Sequence, residues 1–392
     1  MRLFSLIVFT TLLNLFAGQA HAALLVVDPT GMTGTYVDLQ AALDASQDGD
    51  VIHVKGGTYE SIVISTAVTI VGGPAPAINP TNFWGAPDQP PAITLLGSGS
   101  GKVVLANIVT GGVSDGGFFS TSGAAIAGGG FSSLVIADST IAAPDWILLT
   151  GLAAGRPAIS TTVPNIIIER STVTGQASET DDCYGVAING PAGISAPSSK
   201  VVLLDSTVTG GNGSELCSYF AAPTTNACPC AGEGGVGGNG VHAQSFYIAN
   251  SAVNPGHGLP AYYLDTNFNV VPWGVQPDGT AIVASSTYTW PNTLSASGAF
   301  QLGTNWSLTL GTLAQSDILL ATIGSVSPYI LGGIPSILNL SALFVNTPLP
   351  SGITSLPYSI PNNFPVGIEI TLQVYDSANS LLARPVVLVT IP

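Results

Sequence analysis

The charged side chains that could do chemistry in this 392-residue chain are few, and the densest group lies between residues 179 and 182. Glu179, Asp181 and Asp182 fall together there, and Glu215 and Glu233 follow in the next long loop. Paired carboxylates in one loop can divide general-acid and general-base work between them. The same hard oxygens suit Ca²⁺, which makes Glu179, Asp181 and Asp182 the candidate calcium ligands. No EF-hand spacing accompanies them, so a solvated acidic loop is the simpler expectation. His257 sits between two glycines, in Gly256-His257-Gly258. A lyase would instead need a base near the sugar's α-proton and a cation against the enolate-like charge. Arg156 is the least explained cation, because it lies in a long loop, whereas Arg170 and Lys200 read as corner or turn residues.

The wider composition narrows the partners. Charged residues make up 7% of the chain, against about 25% in an average soluble domain. Seven Lys+Arg face 22 Asp+Glu, for a formal net charge of −15. Nucleic acids and anionic membranes, which need basic patches, are excluded as partners. A hydrophobic content of 46% allows a large core, and 47 Gly with 28 Pro imply many tight turns. The stretch from Gly232 to Gly240 is glycine-dense, yet no Lys and no following helix make it a phosphate loop.

The first 22 residues read as a signal peptide. One positive charge at Arg2 precedes an apolar run from Leu3 to Phe16, and Ala20-His21-Ala22 is a small-x-small cleavage signal before Ala23. The expected mature protein is secreted or held at the cell surface, with no membrane span after cleavage. Cys183, Cys217, Cys228 and Cys230 are an even set in an exported chain, which favours disulfides over a zinc site. Stacked loops would set Cys183 beside Cys228 or Cys230, leaving Cys217 for the remaining member.

Internal repeats determine the architecture. An apolar strand ending in a polar anchor recurs at Asn107, Asp138, Arg170, Asp205 and Asn250, spaced by 31, 32, 35 and 45 residues. A Ser-Thr-Val-like triplet usually follows, as in Ser171-Thr172-Val173 and Ser206-Thr207-Val208. Second strands precede the anchors at Ala92-Ile93, Ala125-Ile126, Ala158-Ile159 and Ala187-Ile188, with a looser match near Val241. Each unit therefore holds three short strands and three turns, and stacking units about 4.8 Å apart closes a shared core. Asn and Asp at the anchors suit a left-handed corner, the preferred reading of Asp138 and Asp205. Leu39, Ala42 and Leu43 sit at helical spacing, which predicts a short helical cap before the first strand.

The run Asp48-Gly49-Asp50-Val51-Ile52-His53-Val54, followed by Gly57-Thr58-Tyr59, resembles the opening of the pectate-lyase-like right-handed parallel β-helix superfamily. With the repeats, the resemblance spans about residues 24–270. It implies a right-handed β-helix whose long loops after the third strand wall a substrate groove, and it says little about activity. Asp181-Asp182-Cys183 and Gly256-His257-Gly258 are similar to polygalacturonase motifs, a resemblance that implies the paired carboxylates as acid and base of inverting hydrolysis and His257 as a further catalytic candidate, but Asp182 and His257 lie 75 residues apart. The basic motif expected after the histidine is absent.

The expected organisation is all-β: signal peptide 1–22, β-helix 23–277, and a small antiparallel β-sandwich over 278–392. The last is inferred from alternating stretches such as Trp306-Ser307-Leu308-Thr309-Leu310 between Pro-rich turns. With no complete catalytic set, the expected function is a loop wall for glycan binding, adhesion or surface structure. The alternative is a polysaccharide lyase or glycoside hydrolase using the acidic loop. A polysaccharide or cell-surface glycan is the expected partner and Ca²⁺ the one candidate cofactor.

Overall fold

The computed structural model describes residues 22–73, 76–78, 90–111, 123–143, 152–153, 155–180, 188–214, 234–264, 270–290, 294–297, 300–310, 317–331, 334–349, 354–376 and 381–392. It is nearly all β, dominated by a large curled parallel sheet. Two parallel ladders run along it, and a third forms a separate seven-stranded parallel sheet. The first stacks Leu24–Val27, Val51–Val54, Thr69–Gly72, Lys102–Ala106, Ser133–Ala137 and Asn165–Glu169. The second stacks Ile62–Ile64, Ile93–Leu96, Ile126–Gly129 and Ile159–Thr161. Both continue through the two ends of the longer strands Ile194–Leu204, Val241–Ala249 and Ile282–Thr289. The third stacks short strands from Thr58–Tyr59 to Ala252–Asn254.

The five anchors Asn107, Asp138, Arg170, Asp205 and Asn250 all adopt left-handed backbone, with φ between 44° and 54°. Such a corner removes the next N–H from the strand ladder. The serine that follows the anchor restores its bond. Ser139 N–H donates to Ser171 Oγ, Ser171 N–H to Ser206 Oγ, and Ser206 N–H to Ser251 Oγ, each at 3.0 Å. Each hydroxyl in turn donates to the carbonyl two residues back, as Ser171 Oγ does to Glu169 at 2.8 Å. The third residue of the triplet supplies the inward side chain: Ile141, Val173 and Val208 are fully buried. The repeat is thus a turn, a hydroxyl ladder and a core residue in sequence. Replacing Ser171 with alanine strands the buried Ser139 N–H, and a loss of about 1–3 kcal/mol is expected in urea denaturation. An unchanged midpoint would show that the ladder carries no stability.

The helix Leu39–Ala45 forms as its spacing predicts, with Asp38 capping the Gln40 N–H. Leu39, Ala42 and Leu43 are buried in the same core as Ile52, Ile64 and Ile70, so the helix plugs the first coil. Two strand assignments differ from the repeat pattern. Leu24–Val27 precedes the helix and already pairs with Val51–Val54. The strand partner of Ile159 is Ile194, not Ile188, because Ile188 belongs to an excursion outside the ladders. The parallel ladders also run beyond residue 277: Ile282–Thr289 pairs in register with Val241–Ala249. That strand has no anchor triplet, so the repeat pattern does not reveal it.

Beyond Trp290 the sheets are antiparallel. Leu294–Ser297, Asn305–Leu310 and Ser355–Ser359 form one sheet. Asp317–Ile323, Leu343–Pro348, Glu369–Asp376, Leu381–Leu382 and Val386–Val389 form another. Leu308 and Leu310 of the first share a core with Leu319, Leu372 and Val374 of the second. The second sheet and a separate antiparallel pair, Ser325–Leu331 with Ile334–Leu338, also dock on the coil stack. Val104, Val135, Ile167 and Val202, outward residues of the first ladder, are buried against Ile337, Val387 and Val389. This explains why first-ladder strands such as Leu134-Val135-Ile136-Ala137 are apolar without alternation: both faces are covered. The Thr172-Val173-Thr174 strand of the third ladder keeps its two threonines exposed and alternates.

Candidate functional site

The long excursions leave the end of the third ladder and return to the start of the second. Outgoing segments 174–178, 209–214 and 254–259 lie beside returning segments 188–193, 234–240 and 276–280. Outgoing neighbours run parallel: Gly175 N–H donates to Thr209 O, and Gly210 N–H to Asn254 O, both at 2.9 Å. Returning neighbours do the same, with Gly190 N–H to Val236 O at 2.8 Å and Gly193 N–H to Asn239 O at 2.9 Å. The two layers cross-link in opposite directions, as Gly238 N–H to Gly211 O at 2.8 Å and Gly256 N–H to Gly238 O at 2.7 Å. The bonds recur at three-residue steps, the period of the three-residue-per-turn extended helix. Side chains add a second tie. Asn189, Asn212 and Asn239 each accept a backbone N–H from the following coil, those of Val236, His257 and Thr280.

Glycine is required here by proximity, not by φ. A Cβ on Gly211 would stand 1.9 Å from Gln176 O, and one on Gly256 would stand 1.8 Å from Gly211 O; neither glycine has a left-handed φ. The described part of the glycine-dense stretch, 234–240, is therefore the middle returning layer of a stem. The third excursion continues as the antiparallel strand pair Pro260–Leu264 with Val270–Val275.

Glu179 lies where the excursions begin, in a two-residue strand pairing antiparallel with Leu152–Ala153 of the preceding loop. Arg156 follows that loop strand and accepts the Gln176 N–H at its carbonyl, 3.0 Å away. Its Nε is buried without a hydrogen-bond partner among the described residues. The structure thus brings the backbone stretches of Arg156 and Glu179 together. Asp181, Asp182, Glu215, Glu233 and the four cysteines lie outside the described residues. His257 is on the stem and exposed, with Nδ1 3.3 Å from Asp278 Oδ1. Among the described residues no three or more His, Cys, Asp or Glu side chains gather as a metal site, and no helix is long and apolar enough to cross a membrane.

The second ladder forms the floor beside the stem. Its outward row is Val63, Thr94, Ala127, Ser160, Ser195, His242 and Val283. His242 is the only titratable side chain in it. At the far end of these strands, Leu96, Gly97, Gly129, Gly130, Thr162 and Pro197 line part of an open groove of about 650 Å³. The floor offers hydroxyls, small apolar groups and backbone, and no carboxylate.

Most cations that could support lyase chemistry are engaged elsewhere. Lys55 pairs with Asp28 at 2.6 Å; that lysine, helped by Thr30, holds the Asp28 carboxyl down at about 2. Lys102 pairs with buried Glu369 at 2.5 Å, across the docking face of the C-terminal sheets. Lys200 Nζ reaches Ser327 Oγ and Pro328 O, both at 3.3 Å, on the same face. Arg170 grips Asp138 through two bonds of 2.7 and 2.8 Å, meets Glu169 at 2.8 Å and donates to Val387 O at 3.0 Å. Arg384 bonds to Asp205 and Leu294 O. Of seven basic residues, these five are structural, which leaves Arg156 and Arg2.

Sequence reasoning did not find this interface cluster. Its one signal was Glu169, an acid in the outward row of Ala106, Ala137, Leu204 and Ala249. Glu169 is fully buried, and burial pushes its carboxyl up to about 8 against the pull of Arg170 and Arg384. Arg170 is held above its ordinary range, because Glu169 and the nearby aspartates outweigh the burial that lowers it. No protein-family model, curated protein or solved structure matches the chain.

Proposed function

We propose that this is a secreted, non-catalytic protein of the right-handed parallel β-helix type, similar to the pectate-lyase-like superfamily. Its loop tips would bind a polysaccharide or cell-surface glycan, with the C-terminal sheets forming a sandwich docked on the helix. The observation that carries the reading is the floor of the second ladder beside the stem, which among the described residues holds no carboxylate and has His242 as its one titratable side chain. A glycosidase or lyase built on that floor would need acids, bases or cations within reach of the sugar. The stem favours presentation: three stacked excursions fix where the intervening loops emerge, which lowers the entropy lost when a ligand is held.

One observation favours the rival reading of a polysaccharide-active enzyme. Arg156 holds a buried Nε with no hydrogen-bond partner among the described residues, near the backbone of Glu179. A panel of neutral and acidic polysaccharides, assayed for new reducing ends and for unsaturated products with and without Ca²⁺, separates the two. No turnover is expected. Reproducible turnover abolished by Asp182→Ala would overturn the non-catalytic reading.

A further inference from the structure

Asp50 closes the Asp48-Gly49-Asp50 run at the mouth of the first coil and is 7% exposed. Its Oδ2 accepts the Gln47 N–H at 2.8 Å, and its Oδ1 accepts the Ala23 N–H at 2.7 Å. Among the described residues no Lys, Arg or His forms an ion pair with it. A nearly buried carboxylate with only neutral amide donors is an incomplete arrangement, because removing a charge from water is costly unless a counter-charge is near. Ala23 is also the first residue after the small-x-small signal, and Ala22 and Ala23 are both exposed.

We propose that removal of residues 1–22 creates the missing partner: the new α-ammonium of Ala23 seats on the Asp50 carboxylate and locks the first strand into the first coil. This rests on the secreted reading above. A signal peptidase would hydrolyse the Ala22–Ala23 bond with one water. The water oxygen joins the Ala22 carbonyl carbon, the C–N bond breaks, and the two water protons end on the Ala23 nitrogen. The released peptide carries the carboxylate and the mature chain the –NH₃⁺ group. The nitrogen need not move, since it already sits at hydrogen-bond distance from Oδ1. Its neutral amide bond becomes a charge-assisted one, roughly twice as strong. The strand is held at the same point from the other side, because the Val51 N–H donates to Ala23 O at 2.9 Å. Leu24 then pairs with Val51 as the outermost strand of the first ladder. Processing would thereby stabilise the open end of the coil stack, where strands are otherwise prone to fray.

The test compares two forms of the full mature chain, one beginning at Ala23 with a free α-amine and one with a Gly-Ser extension before Ala23. Thermal melts at pH 6 should place the free-amine form several degrees higher. In Asp50→Asn the two forms should melt together. Equal melting of the two forms in the native sequence would overturn the ion pair, as would a difference that persists in Asp50→Asn. N-terminal sequencing of the exported protein tests the processing step separately. A start other than Ala23 would overturn that step, whatever the melts show.

Discussion

Replacing Arg170 with methionine is expected to cost the folded state about 3–5 kcal/mol, the range for breaking one side of a buried ion pair. Arg170 is the hub between the coil stack and the C-terminal sheets. It holds Asp138 with two bonds, Glu169 with a third and Val387 O with a fourth. It also occupies a left-handed corner at φ 44°, where a long side chain gains nothing from its own backbone. Methionine roughly keeps the volume, leaves Asp138 without its cation and takes a hydrogen-bond donor from the buried Glu169. Urea denaturation checks the loss, and hydrogen exchange at the docking face locates it. A midpoint within error of the native protein would contradict the assignment.

Glu169→Gln probes the same cluster with the opposite sign. Two arginines balance Asp138 and Asp205, so the cluster is neutral only while Glu169 keeps its proton. Its carboxyl is raised from an ordinary 4.5 to about 8. Between those values the folded state binds more protons than the unfolded one, so stability falls as pH rises. Glu169's contribution is full below pH 4.5, is lost progressively towards pH 8, and is flat above. Glutamine has no proton to lose. The stability of Glu169→Gln relative to the native protein should therefore climb between pH 5 and pH 9. Parallel pH profiles would show that Glu169 is ionised in the fold.

The second large effect is expected in the stem. Gly211→Ala places a methyl 1.9 Å from Gln176 O on one side and 2.7 Å from Pro191 Cδ on the other. Neither neighbour is a flexible side-chain tip, so the layers must part. Overpacking of this kind costs about 1–3 kcal/mol. The loss should be local. Amides of 188–193, 210–214 and 234–240 would exchange faster while the first ladder around Ile136 and Ile168 stays protected. Unchanged exchange in those segments would mean that the layers are not packed as closely as their bonds imply.

The sequence made the coil legible because a stacked repeat writes the same constraint into every turn. The anchors, the Ser-Thr-Val triplets and the Leu39–Ala45 cap each express a local rule of backbone or periodicity, and each is found where that rule put it. What stayed hidden depends on contacts between distant segments. The continuous apolar run Val201-Val202-Leu203-Leu204 reads as a strand, yet nothing local says that residues near Val387 cover its outer face. The stem was hidden for a different reason. Its glycines serve close approach between segments about 20 to 45 residues apart, and no helix or strand period marks them. Ile188 was assigned to a ladder because it follows an alanine, as Ile93, Ile126 and Ile159 do. Of the candidate site residues, Arg156, Glu179 and His257 are the ones that the structure describes. Arg156 and Glu179 do come from adjoining loops, whereas His257 belongs to the stem.

A glycan microarray probed with the mature chain, and with a variant whose residues 215–233 are replaced by a short Gly-Ser linker, tests the presenting role most directly. The expected result is saturable binding of a defined set of glycans by the native chain and its loss in the variant, with the melting temperature retained. Equal binding by both forms, or no binding by the native chain to any neutral or acidic glycan, would contradict it.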